Sequence, residues 1–180
     1  MNVDNICEEI IWYGEKDEKT GKFGIYIILD FDYTLTKISS WANGTFEEND
    51  KCFEILKRWE EEFGCKYILE TMRAGDNVKP AVDFCKSKGL EFFGIGRNPL
   101  QDRDGDTTCK CWGIFNIDDR DVMIPLIHPK DSRPYVNWEL IDAYLTPILR
   151  KIAKRLPEME DEILKKKAMV EGKTNILSID

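Results

Sequence analysis

Two periodicities alternate along the chain. The run "GIYIIL" (24–29) is apolar at every position, the pattern of a strand covered on both faces. "DKCFEILKRWEEEFG" then places Phe53, Leu56, Trp59 and Phe63 three or four residues apart, which predicts an amphipathic helix capped by Asn49 or Asp50 and stopped at Gly64. "KYIL" (66–69) is a second apolar run. A second helix is expected from Val78 to Lys88, with Pro80 in its first turn and Gly89 after it. "LEFFGI" (90–95) and "GIFNI" (113–117) are the third and fourth strand candidates, and "MIPLI" (123–127) a short fifth. "GEKDEKTGKFG" (14–24) and "SSWANGTFEEND" (39–50) read as loops.

Strands alternating with helices across short connections predict an α/β fold: a doubly wound, Rossmann-like parallel sheet in three α/β/α layers. Beyond it, Trp138, Ile141, Leu145, Ile148, Ile152 and Leu156 keep helical spacing, so a C-terminal helical extension over about 138–170 is expected, kinked or broken at Pro147 and Pro157. The basic "LRKIAKR" is answered by "EMEDE" and reads as a solvated helix face; the last stretch, from Asp161, is either a partner-binding helix or a frayed end.

The length of 180 residues and 42% hydrophobic content suit one domain, 1–180. A net charge of −8 gives no general attraction to nucleic acid or to anionic membranes, so any anion must be held locally. No segment has the ~20 apolar residues of a membrane helix, and a cytoplasmic location is the expectation. Six cysteines without a C-x-x-C pair read as reduced thiols, with Cys52, Cys65 and Cys85 as core fillers.

In such sheets ligands collect beyond the carboxyl ends of the strands. There the sequence concentrates its polar chemistry: Asp30 and Asp32 after the first strand, Thr71 after the second, Asp118 and Asp119 after the fourth, with Lys110 just before that strand. Carboxylates gathered at one edge repel by several kcal/mol at intermediate dielectric unless a cation compensates them. Oxygen-only ligands of this kind suit Mg²⁺. Adjacent residues of an extended chain point opposite ways, so one of Asp118 and Asp119 is expected to ligate directly.

"LDFDYTLT" resembles the first motif of the haloacid dehalogenase superfamily, D-x-D-x-T at the end of the first strand. "ILETMR" and "IDDRDV" resemble its second and fourth motifs, and Lys110 falls where the third motif's Lys or Arg is expected. Together with "RPYVNW", the resemblance extends to about Trp138 and is to a little-characterised subgroup of small haloacid-dehalogenase-like hydrolases. It implies a phosphatase. Asp30 would be the nucleophile that becomes an aspartyl-phosphate and Asp32 the general acid and base. Thr71 and Lys110 would hold phosphate oxygens. Mg²⁺ would lie between Asp30, the main-chain carbonyl of Asp32 and the acids at 118 and 119, with Asp119 favoured by alignment with the family's I-G-D.

Two features depart from the family. Tyr33 stands where many members have Gly and could wall the mouth of the site. Only 34 residues separate Asp32 from Tyr67, leaving no room for a substantial cap domain, so the site is expected to be open to a small or a macromolecular phosphorylated substrate. Trp41 and Phe46 are candidate lining residues, Arg73 a candidate second clamp or a surface ion pair, and the lone His128 a loop residue. Two alternatives stand beside the enzyme: a receiver-like phosphoacceptor module, disfavoured because "LEFFGIGRNP" offers no Asp at the third strand end, and a catalytically weak scaffold on the same fold.

Overall fold

A computed structural model describes residues 2–40 and 44–177. Four parallel strands form the central sheet: β1 (Ile25–Leu29), β4 (Cys65–Leu69), β5 (Gly94–Ile95) and β6 (Phe115–Ile117), in the order β5-β4-β1-β6. The chain steps outward from β1 to β4 and β5, then returns to the other side of β1 for β6. The topological switch point therefore lies between β1 and β6, where such sheets bind ligands. Register completes the arrangement. Leu29 pairs with both Leu69 and Ile117, so the residues that follow these strands leave the sheet from one row.

The two faces of the sheet are covered unequally. Ile25, Ile27 and Leu29 alternate onto the face packed by α2 (Cys52–Phe63), α3 (Val78–Ser87) and α5 (Trp138–Leu177), where Trp59, Trp138 and Leu149 are fully buried. Tyr26, Ile28 and Ile68 face the opposite way, under the short helix α4 (Pro99–Arg103) and Trp112. The stretch 92–111, too short for a cap, serves as the cover of this second face. Gly113 is needed there, because a Cβ would meet the Ile28 side chain at 2.7 Å.

Several expectations change. α1 (Val3–Tyr13), unexpected from the sequence, is capped by the Asn2 side chain and packs along α5, with Cys7 Sγ directed at the Ile152 carbonyl. The stretch read as a loop after the acidic pair is a hairpin, β2 (Thr36–Ser39) with β3 (Phe46–Glu48). The third strand is two residues long, and of "LEFF" Phe93 reaches β4, its N–H donating to the Tyr67 carbonyl (2.7 Å). "MIPLI" yields only β7 (Leu126–Ile127), which pairs with β8 (Tyr135–Val136) outside the main sheet. α2 begins at Lys51 in the left-handed region (φ 62°), and Asn49 is occupied elsewhere. α5 stays helical through Pro147 and Pro157. Each proline costs a helix ~3 kcal/mol, whereas each buried Leu or Ile contributes about 1.5–3 kcal/mol, and α5 buries Leu145, Leu149, Ile152 and Leu156 around the two prolines. The six cysteines are free thiols, Cys109 exposed and the rest buried. No helix is long and apolar enough to cross a membrane among the described residues.

Candidate active site

Asp30 leaves β1 with its N–H donating to the Ile117 carbonyl (3.1 Å), which ties the first acid to the end of β6. One residue on, that strand reaches Asp118 and Asp119. Among the described residues, one carboxylate oxygen from each of Asp30, Asp118 and Asp119 lies within 4.8 Å of the other two. Both acids of the "IDD" pair join Asp30. β6 ends at Ile117 and the chain turns at Asp119, so the alternation expected of an extended chain does not apply.

Thr34 holds this geometry. Its hydroxyl donates to Asp30 Oδ2 (3.4 Å) and accepts from the Asp119 N–H (3.0 Å). Its carbonyl accepts from the buried Asn49 amide (3.0 Å) and the Trp138 indole (2.8 Å), and Asn49 also donates to the Val136 carbonyl (2.8 Å). Buried donors of this kind are costly to leave unpaired, so the loop after β1 is fixed from α5 and β8 together. Asn49, expected as a helix cap, is a strut for the site.

Burial pushes the Asp30 carboxyl up to about 7; the Phe31 N–H opposes this, and Asp118, Asp32 and Asp119 add to it. Asp119 is also raised by burial, against the pull of Arg133. Half-buried acids whose charged forms are disfavoured in this way fit a hard divalent cation, which would relieve the crowding.

Asp32 is outside this cluster. Arg73 donates to it twice (Nε to Oδ2, 3.0 Å; Nη2 to Oδ1, 2.7 Å) and to Ser39 Oγ (2.8 Å), and Ser39 in turn contacts Asp32. Arg73 is not a surface residue, and its guanidinium is committed to Asp32 and Ser39: its side chain is 1% exposed, between the rings of Phe31 (5.1 Å) and Phe46 (5.0 Å). Phe46 therefore packs under the hairpin, against Phe31 and Phe84, and does not line a mouth. Trp41 lies outside the described residues.

Thr71 is half-buried past the end of β4, where its hydroxyl accepts from the Arg73 N–H (3.3 Å). Lys110 is exposed in the cover loop. Its described contact is through the main chain, whose carbonyl accepts from Gln101, and no contact joins its amine to the acids. His128 is exposed in the β7–β8 connection.

No family model and no curated protein matches the chain. A solved structure, described as that of a conserved protein coded by a locus from Bacteroides thetaiotaomicron, is similar to it at 25% identity, over 69% of this chain and 91% of that one, with a TM-score of 0.52. The fold is Rossmann-like. The description of the neighbour names no activity.

Sequence reasoning missed one cation. Arg133, in the β7–β8 connection, donates to Asp119 Oδ2 (3.1 Å), and its guanidinium lies 4.4 Å from the centre of the Tyr33 ring. Tyr33 is held in the left-handed region (φ 63°) that favours glycine, with its carbonyl accepting from Val136 (2.9 Å). The only sequence signal for Arg133 was its place in "RPYVNW". An apolar cavity of about 700 Å³ lies between β6 and α5, but Asp30, Asp118 and Asp119 are not among its lining residues, and it offers no chemistry for them.

Proposed function

We propose that this chain is a Mg²⁺-dependent phosphomonoester hydrolase of the haloacid dehalogenase type, acting through an aspartyl-phosphate. The observation that carries this reading is the convergence of Asp30, Asp118 and Asp119 within 4.8 Å at the switch point of the sheet, with Asp32 following on the same loop. Asp30, Asp118 and Asp119 would hold the cation, which supplies charge neutralisation between a carboxylate nucleophile and an anionic phosphoryl group.

The residues supply the remaining steps. An oxygen of Asp30 bonds to phosphorus as the ester P–O bond breaks, and Asp32 gives its proton to the departing oxygen. Asp32 then takes a proton from water, the water oxygen bonds to phosphorus, and the P–O bond to Asp30 breaks to free phosphate and restore the carboxylate. Thr71 has a hydroxyl hydrogen left to donate to a phosphoryl oxygen, where charge must be stabilised during transfer. For the first of these steps Asp32 must carry a proton and turn from Arg73, because both of its oxygens accept from that guanidinium.

That last feature favours a second reading, in which the site binds a phosphorylated ligand, or takes a phosphoryl group, without useful turnover. Acid-quenching the protein with an aryl phosphate and Mg²⁺, then mapping the phosphoryl group by mass spectrometry, separates the two. The hydrolase gives a short-lived adduct on Asp30 with steady phosphate release; the second reading gives a lasting adduct, or none, without release.

A further inference from the structure

Phosphoryl transfer needs a positive side chain on the phosphate in addition to the metal. Four basic residues compete for that role, and three are less suited by their surroundings. Arg120, next to Asp119 in the chain, is exposed and reaches the acids through its main-chain N–H, which donates to Asp118 Oδ1 (2.8 Å). Arg73 is enclosed between two rings and committed to Asp32 and Ser39. Lys110 is exposed on the cover loop, with no contact to the acids. Arg133 remains. It touches Asp119, a member of the same cluster as Asp30, while its side chain is still 47% exposed.

Its position has two parts. One nitrogen sits on an oxygen of a residue from the cation cluster, so it occupies part of the charge a divalent ion would supply. The guanidinium lies over the ring of Tyr33, 4.4 Å from its centre, and Tyr33 directly follows Asp32 and is tied to β8 through its main-chain carbonyl. An arginine supported on an aromatic face can exchange one anionic partner for another without losing that support.

We propose that Arg133 is the phosphate-binding cation of this site, held on Asp119 while no divalent ion is bound and turned to the phosphoryl oxygens, still backed by Tyr33, once an ion takes that carboxylate. The proposal deepens the hydrolase reading and rests on it. It also accounts for the unusual Tyr33, since a glycine would leave the loop bare where the ring carries the arm.

The test is a pair of calorimetric titrations on the full chain, wild type against Arg133→Gln, Arg133→Lys and Lys110→Gln. In the first, Mg²⁺ is added to chelator-stripped protein. Removing a half-exposed competing ion pair should tighten binding by about two- to fivefold in Arg133→Gln. In the second, inorganic phosphate is added to Mg²⁺-saturated protein; loss of charge-assisted hydrogen bonds should weaken binding by roughly tenfold or more in Arg133→Gln. Arg133→Lys should recover part of that loss, and Lys110→Gln should match wild type in both titrations.

Unchanged phosphate affinity in Arg133→Gln overturns the proposal, as does its loss in Lys110→Gln. Arg133→Lys binding as weakly as Arg133→Gln also overturns it, because the loop and not the charge would then be responsible. Unchanged Mg²⁺ affinity in Arg133→Gln rules out the exchange on Asp119. A wild-type protein that binds no Mg²⁺ at all defeats the hydrolase reading itself, an outcome distinct from the others.

Discussion

Asp30 is a half-buried acid beside three others, and its protonation has a measurable sign. Its carboxyl is raised from 3.8 to about 7 by burial and by three neighbouring acids. The metal-free folded protein therefore holds a proton that the unfolded chain releases. The stabilisation from that proton is complete below the ordinary carboxylate range and is lost as pH rises through about 7. Melts of chelator-treated protein between pH 5 and 8 should decline in stability by up to ~1.4 kcal/mol per pH unit, and Asp30→Asn should flatten that slope. An identical slope in the variant would mean that Asp30 does not titrate there. The position of Asp30 was legible because a wholly apolar run ends on it. The partnerships of Arg73 and Arg133 were not, since they join residues 41 and 14 positions apart through loops whose paths the hydrophobic pattern leaves undetermined.

At the scale of elements, the β2–β3 hairpin is fastened to the end of β4 by Arg73, which spans Asp32, Ser39 and the two rings. Arg73→Leu would strand a largely buried carboxylate, and an unpaired buried charge costs about 3 kcal/mol or more. Denaturant unfolding should show a loss of that order. Arg73→Lys should recover only part of it, because an ammonium lacks the planar fork that meets both carboxylate oxygens. α5 allows a converse change. Pro157 leaves one main-chain acceptor without its helical partner, so Pro157→Ala should stabilise by about 1 kcal/mol or more, a net of the recovered helix bond and the added freedom of the unfolded chain. The sequence marked both prolines as kinks or breaks because local propensity was weighed without the burial of Leu145, Leu149, Ile152 and Leu156; the helix is unbroken. The hairpin escaped notice for a related reason: its strands are four and three residues long and mostly exposed, too short to display a period.

For the molecule as a whole, the order β5-β4-β1-β6 brings chemistry from three strand ends to one edge, and the alternation of strands and helices was sufficient to anticipate it. Its unequal faces were harder to foresee, because the cover over Tyr26 and Ile28 is mostly irregular chain. With a net charge of −8 and an acidic cluster at its edge, the protein should gain stability from Mg²⁺ by mass action, about 2.7 kcal/mol at a hundredfold excess over the dissociation constant, and Asp119→Asn should remove most of the gain. The most direct test of the central claim is phosphate release from a generic aryl phosphate, measured for wild type and Asp30→Asn with Mg²⁺ and with chelator. Metal-dependent turnover that falls to background in Asp30→Asn is the expected result; full metal-dependent turnover in that variant would contradict it.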